Sequence, residues 1–233
     1  MAAVEPANRL AVLVPAFQAA ATVGTVVAAA RQALPHATVY VIDDGSTDAT
    51  ASAAAQAGAV VLAHPDNRGK GAALATGVAR ALADGAETIG TLDADGQHPP
   101  EALPRLLAPV LRGDADLVLG ARARTAAMPR GRRFTNWLSA MMASRIGAVR
   151  VPDAQTGFRV FSRRVAIGLQ PLVSPYVRYD YEAAFLLAAL RAGYGVLSVE
   201  IPTIYPGVPS HFRGWGDSWR LVRVFARYLF GGP

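Results

Sequence analysis

Short apolar runs alternate with helix-forming stretches from Leu10 to Gly120, and this alternation constrains the fold more than any other feature of the sequence. Leu10 to Val14 reads as a strand stopped by Pro15, and Thr22 to Leu34 as an Ala-rich helix. Val39 to Ile42 is a second strand with a helix from Thr47 to Gln56 behind it. Ala59 to Ala63 is a third, followed by a loop from Pro65 to Gly69 and a helix to Asp84. Ile89 to Leu92 leads into Asp93, Pro99 to Arg112 reads as the next helix, and Asp116 to Gly120 as the next strand. Buried strands joined by helices make a mostly parallel sheet with helices on both faces, an α/β fold in which ligands sit beyond the carboxyl ends of the strands.

The polar sequences fall at those ends. Pro15-Ala16-Phe17 follows the first strand, Asp43-Asp44-Gly45-Ser46 the second, and Asp93-Ala94-Asp95-Gly96-Gln97-His98 the fourth, so they are expected to converge on one crevice. Asp93, Asp95 and Gln97 alternate, which on an extended segment puts their oxygens on one side. Oxygen donors so grouped suit a hard divalent cation, Mg²⁺ or Mn²⁺, and through it a pyrophosphate. The acids after Ile42 suit hydrogen bonds to a nucleoside, or a turn in which Ser46 or Thr47 caps the next helix. Asn67-Arg68-Gly69-Lys70-Gly71 opens a helix whose N–H groups and Lys70 suit phosphate, or a helix entry that needs glycine; it is neither a Walker loop nor a dinucleotide fingerprint.

At 233 residues, 52% hydrophobic and 17% charged, the chain buries a core and is read as one domain, with a nucleotide-binding half to residue 120 and an acceptor half over 121–216. The absence of Cys excludes disulfides and thiolate zinc sites. A net charge of +6 points to anionic partners. No signal peptide and no membrane span is read; nucleic acid ranks low because the arginines lack interleaved aromatics.

After residue 120 the pattern changes. Arg122, Arg124, Arg130, Arg132 and Arg133 read as a mobile basic loop whose guanidinium forks suit phosphate oxygens. Asp153-Ala154-Gln155-Thr156-Gly157-Phe158-Arg159 reads as a further loop and strand beside the site. Asp217 to Phe230 carries Leu221, Val222, Val224, Phe225, Tyr228 and Leu229 at helical spacing with Arg220, Arg223 and Arg227 on another face. Such a helix suits a membrane surface, docking on the chain's own core, or a partner subunit.

Together these motifs resemble glycosyltransferase family 2, and more closely its dolichyl-phosphate or polyprenyl-phosphate sugar transferases. The matches are Val14-Pro15-Ala16-Phe17, Asp43-Asp44-Gly45-Ser46, Asn67 to Gly71, Asp93 to Pro100, Gly120-Ala121-Arg122, Gln155 to Arg159 and Ser210-His211-Phe212-Arg213. The resemblance implies a nucleotide-sugar-binding GT-A type fold. It places Pro15, Phe17, Asp43, Asp44, Lys70 and Asp93 at the nucleotide, and Asp93, Asp95 and Gln97 at the metal. Arg122, Arg132, Arg133, Gln155, Arg159, His211 and Arg213 fall to the phosphates and acceptor, with Asp95, Arg122 and Arg133 central to catalysis. One departure stands out: the family's Tyr-Asn-Glu after the first strand is Phe17-Gln18-Ala19 here.

The implied reaction is an inverting transfer from a GDP- or UDP-linked sugar to a polyprenyl phosphate, by an enzyme peripheral to the cytoplasmic face of the membrane. A phosphate acceptor is largely ionised at neutral pH and needs no strong base. A glycan or glycolipid hydroxyl would need one, and Asp153 is the candidate. A non-catalytic nucleotide-sugar or membrane-binding module is the other alternative.

Overall fold

A computed structural model describes residues 9–122, 130–173, 175–178, 180–202, 223–225 and 227–228, with the backbone alone over 130–134. Leu10–Ala16 (β1), Thr38–Asp43 (β2) and Val60–Ala63 (β3) are separated by Val23–Ala33 (α1) and Thr50–Gln56 (α2), and Lys70–Ala83 (α3) leads to Thr88–Thr91 (β4). A 3₁₀ turn at Pro100–Ala102 opens Leu103–Leu111 (α4). Leu117–Arg122 (β5), Arg130–Gly147 (α5), Arg159–Ser162 (β6), Arg163–Val173 (α6), Asp180–Arg191 (α7) and Val196–Ile201 (β7) follow.

The strands form one sheet in the order β3-β2-β1-β4-β6-β5-β7. Neighbours run parallel except β6, which is antiparallel to both β4 and β5. Successive strand residues face opposite ways and so feed two cores. Ala11, Leu13, Tyr40, Ile42, Leu117 and Leu119 pack under α3, α6 and α7. Val12, Val14, Val39, Val41 and Val118 pack under α1 and α4.

The chain leaves β1 toward β2 and β3, then returns to place β4 on the other side of β1. The carboxyl ends of β1 and β4 therefore splay apart at a topological switch point, the place where open α/β sheets bind ligands. Pro15 does not end β1 as expected: it pairs in register with Ile42, and Ala16 with Asp43. On the β4 side pairing stops at Leu13 with Thr91, followed only by the Leu92 N–H donating to the Leu13 carbonyl at 3.1 Å. Proline lacks an N–H, and it sits where β1 has already parted from β4.

The expected basic loop is corrected in part. Arg130, Arg132 and Arg133 lie in the first turns of α5, while Arg124 is outside the described residues. This helix escaped the periodicity because its inward positions are Asn136, Ser139, Ala140 and Ala143, small or polar side chains that are nonetheless buried. In contrast α7 is buried at every position from Tyr181 to Leu190. Among the described residues no helix is long and apolar enough to cross a membrane. Of the terminal segment, residues 223–225 and 227–228 are helical, and Val224 and Phe225 are buried in the core shared with α7. Those two side chains thus dock on the chain itself.

At the opposite end of the sheet from the crevice, the Tyr40 hydroxyl donates to Asp84 at 2.6 Å. Burial, reinforced by that carboxylate, pushes the phenol from 10.0 up to about 12. The folded chain therefore keeps a proton that the unfolded chain loses. The resulting stability is complete below pH 10.0 and is lost as the pH rises through about 12. Tyr40→Phe is expected to flatten the stability slope across that window in urea titrations; an unchanged slope would contradict the assignment.

Candidate active site

Beyond β4 the chain turns instead of staying extended. The Gln97 N–H donates to Asp95 Oδ1 at 2.9 Å, and Gly96 takes φ 74°, so Asp95, Gly96 and Gln97 form an Asx-type turn. This turn, and not the strand alternation expected from the spacing, sets the backbone path from Asp95 to Gln97. His98 closes it: the Asp93 N–H donates to His98 Nδ1 at 3.4 Å, and the ring stacks on Phe158 with centroids 5.4 Å apart. Burial pushes His98 down to about 4, so it is a neutral acceptor here.

Asp93 meets Lys70, whose Nζ lies 2.5 Å from Asp93 Oδ1 and 3.1 Å from Glu182 Oε1. Burial alone would raise the Asp93 carboxyl, but the surrounding cationic groups, Lys70 foremost, together outweigh it and hold the group down at about 2. Burial would likewise lower Lys70, and the two carboxylates more than reverse that. Glu182 was not singled out in the sequence. Its signal was faint: the second of two carboxylates in the first turn of a largely apolar helix, 7% exposed. Gly157 makes this meeting possible, because a Cβ there would stand 2.7 Å from Glu182 Oε1 and 2.8 Å from Asp93 Oδ1. The Thr91 hydroxyl, donating to the Gly157 carbonyl at 2.7 Å, fixes that loop to the end of β4.

Arg122, at the end of β5, donates from Nε to Asp153 Oδ2 at 2.8 Å and from Nη2 to Oδ1 at 3.4 Å. Asp153 is fully buried and also accepts the Gln155 N–H at 3.1 Å, so it orients the guanidinium and is not placed to act as a base. Arg159, expected at the acceptor, is corrected. It is 3% exposed and donates to the carbonyls of Thr156, Glu182 and Ala154, tying the 154–156 loop to the first turn of α7.

Asp44 is likewise corrected from a nucleoside contact to a support. Its carboxylate accepts the Arg68 and Gly69 N–H groups at 3.0 and 2.7 Å, and His64 Nδ1 lies 2.8 Å away. With the Val177 carbonyl accepting from Ala72, these bonds occupy part of the entry to α3. Asp43 accepts the Ser46 N–H at 3.1 Å, leaving its second oxygen at the end of β2. Pro15 is buried and Phe17 is 36% exposed at the mouth. Ser46 and Thr47 do not cap α2; they accept from Gln18, while Asp48 accepts the Thr50 N–H. Ala19 donates its N–H to Thr50 Oγ1 at 2.8 Å and packs against the core, so the loop is held without the family's glutamate. The side chains of Arg132 and Arg133, and all of His211 and Arg213, lie outside the described residues.

A divalent cation suits these residues by one measure and incompletely by another. Burial raises the Asp95 carboxyl above its usual range, and the Asp93 charge raises it further, so the two carboxylates repel in a way a cation would relieve. Among the described residues no group of three His, Cys, Asp or Glu could hold a metal alone. A divalent cation here would need ligands beyond these side chains, such as the oxygens of a bound diphosphate.

The sequence profile of Glycosyl transferase family 2 matches residues 11–169. An uncharacterized protein of Methanocaldococcus jannaschii is 34% identical over 85% of this chain and 82% of its own. The polyprenol monophosphomannose synthase of Mycolicibacterium smegmatis is 30% identical over 86% of this chain and 79% of its own. Among solved structures, the glucosyl-3-phosphoglycerate synthase of Mycobacterium tuberculosis in complex with Mn²⁺, uridine-diphosphate and phosphoglyceric acid superposes with a TM-score of 0.74, covering 97% of this chain and 80% of that one at 20% identity. At that identity the likeness is one of fold.

Proposed function

The chain belongs to Glycosyl transferase family 2 and is a glycosyltransferase; from that premise we propose that it moves a sugar from a nucleoside diphosphate, GDP or UDP, to a polyprenyl phosphate at the cytoplasmic membrane surface. A phosphate oxygen of the acceptor attacks the anomeric carbon from the face opposite the leaving diphosphate. The bond from that carbon to the diphosphate breaks, and the nucleoside diphosphate leaves with the electron pair. When bound, Mg²⁺ or Mn²⁺ supplies neutralisation of the charge that gathers on the leaving diphosphate.

Asp95 and Gln97, with Asp93 beside them, are the residues that would hold the cation. Lys70, itself paired with Glu182, keeps Asp93 ionised and in place, so the anionic wall of the site is set before ligands arrive. Arg122, fixed by Asp153, presents its remaining donors to phosphate oxygens. Phe17 and the second oxygen of Asp43 are assigned to the nucleoside, and Arg132, Arg133, Gln155, His211 and Arg213 to the acceptor side.

One observation favours a phosphate acceptor over a hydroxyl. Asp153, the candidate base, is committed to Arg122, and Asp93 and Glu182 are committed to Lys70. A hydroxyl nucleophile needs a base and a phosphate does not. The names of relatives such as the Mycolicibacterium polyprenol monophosphomannose synthase support the same acceptor. The test is transfer to a short polyprenyl phosphate across a panel of sugar nucleotides, with Mn²⁺ or with chelator. Metal-dependent glycosyl phosphate product is expected; transfer only to hydroxyl acceptors would overturn the reading.

Gly157→Ala is expected to part Asp93 from Glu182 and cut transfer about 10- to 100-fold, with the circular dichroism spectrum unchanged. Full activity in that variant would show that the close approach is dispensable.

A further inference from the structure

The outer face of α5 carries a second, unassigned surface. Its inner side is set by Asn136, Ser139, Ala140 and Ala143, all buried. On the outer side Trp137 and Met141, one turn apart, are 45% and 38% exposed, and Val149 just past the helix is 37% exposed. Arg145, a further turn along, and Arg150 are exposed beside them. The surrounding sequence is of one sign: between Asp116 and Asp153 there are seven arginines and no Asp or Glu.

We propose that this face of α5 is the surface by which the protein docks on an anionic lipid bilayer. Tryptophan and methionine suit the boundary between headgroups and acyl chains, and arginine stems lie along apolar surface while their heads reach lipid phosphates. At 18 residues α5 is about 27 Å long, and it is not apolar enough to span, so it lies along the surface. A second copy of the chain fits the face less well. A two-fold contact would set Arg145 and Arg150 against their own copies, with no carboxylate nearby in the sequence to offset them. The terminal segment is the alternative membrane element, but its Val224 and Phe225 are already turned into the core. The inference rests on the lipid-phosphate reading of the crevice for its purpose: α5 follows the strand that ends at Arg122, so docking there brings a lipid-borne acceptor to the enzyme.

The experiment is co-sedimentation of the full chain with phosphatidylcholine vesicles, with and without phosphatidylglycerol, at low and high salt. Binding that requires phosphatidylglycerol and is released by salt is expected. Trp137→Ser with Met141→Ser should weaken it roughly tenfold, and Arg145→Gln with Arg150→Gln should reduce its salt dependence. Both variants should keep wild-type transfer to a short water-soluble polyprenyl phosphate. Equal vesicle binding by wild type and the Trp137 and Met141 variant would overturn the proposal. So would indifference to phosphatidylglycerol, or a dimer of the wild type that this variant dissolves. The expected vesicle binding without any transfer to polyprenyl phosphates would leave the docking surface standing and remove the acceptor assignment.

Discussion

Asp95→Asn is expected to lower sugar transfer about 100- to 1,000-fold, close to 3–4 kcal/mol of transition-state stabilisation, while the fold is kept. The variant retains an oxygen that accepts the Gln97 N–H, so the turn after β4 survives. It loses the charge that would hold a cation against the leaving diphosphate. A second effect separates this loss from damage to the fold. Burial and the Asp93 charge both raise the Asp95 carboxyl, so its ionised form is a burden on the folded state at neutral pH. A raised group contributes stability that is present below its unfolded value and lost as the pH rises through the folded one. In chelator at neutral pH the Asn variant should therefore be at least as stable as wild type in urea titrations, and this advantage should vanish on acidification. Activity near wild type, or a variant that is markedly less stable, would contradict the role given to Asp95.

Lys70→Met should be the most destabilising substitution in the crevice. Lys70 stands between Asp93 and Glu182, at 2.5 and 3.1 Å. Removing it leaves two largely buried carboxylates facing each other without a cation. Breaking a buried ion pair by deleting one partner costs about 3–5 kcal/mol; Asp93 keeps 26% side-chain exposure, so the lower end, about 3 kcal/mol, is expected. At this chain length that corresponds to a fall of about 6–12 °C in melting temperature. Adding Glu182→Gln to the Lys70→Met variant should recover a large part of the loss, because the penalty lies in the stranded charges and not in the missing methylenes. A double variant no more stable than Lys70→Met alone would show that the three residues do not act as a unit.

The parallel half of the sheet was legible because buried strands read as apolar runs punctuated by Pro, Gly and Asp. The convergence of Pro15, Asp43 and Asp93 at strand ends followed from that reading, since carboxyl ends of parallel strands share one edge. What escaped was set by contacts distant in sequence. Glu182 reaches Lys70 across 112 positions, and no local pattern announces that contact. Arg159 and Asp44 look like ligand residues because Arg and Asp beside Gly are so often used that way. Only the packing shows that their hydrogen bonds are spent on backbone groups and, for Asp44, on His64 as well. Asp153 lost its candidacy as a base through the same kind of contact, with Arg122. The helix α5 was hidden because its buried side is made of Asn, Ser and Ala, and its charged first turn resembles a loop.

The proposed chemistry requires Asp93, Asp95 and Gln97 to hold a cation jointly with a nucleoside diphosphate. Calorimetric titration of UDP and of GDP into the protein, with Mn²⁺ and with chelator, tests it most directly. Manganese is expected to tighten binding of the matching diphosphate by roughly tenfold or more, the diphosphate to tighten manganese by the same factor, and both effects to disappear in Asp95→Asn. Diphosphate binding indifferent to manganese, or the same mutual tightening in Asp95→Asn, would contradict it.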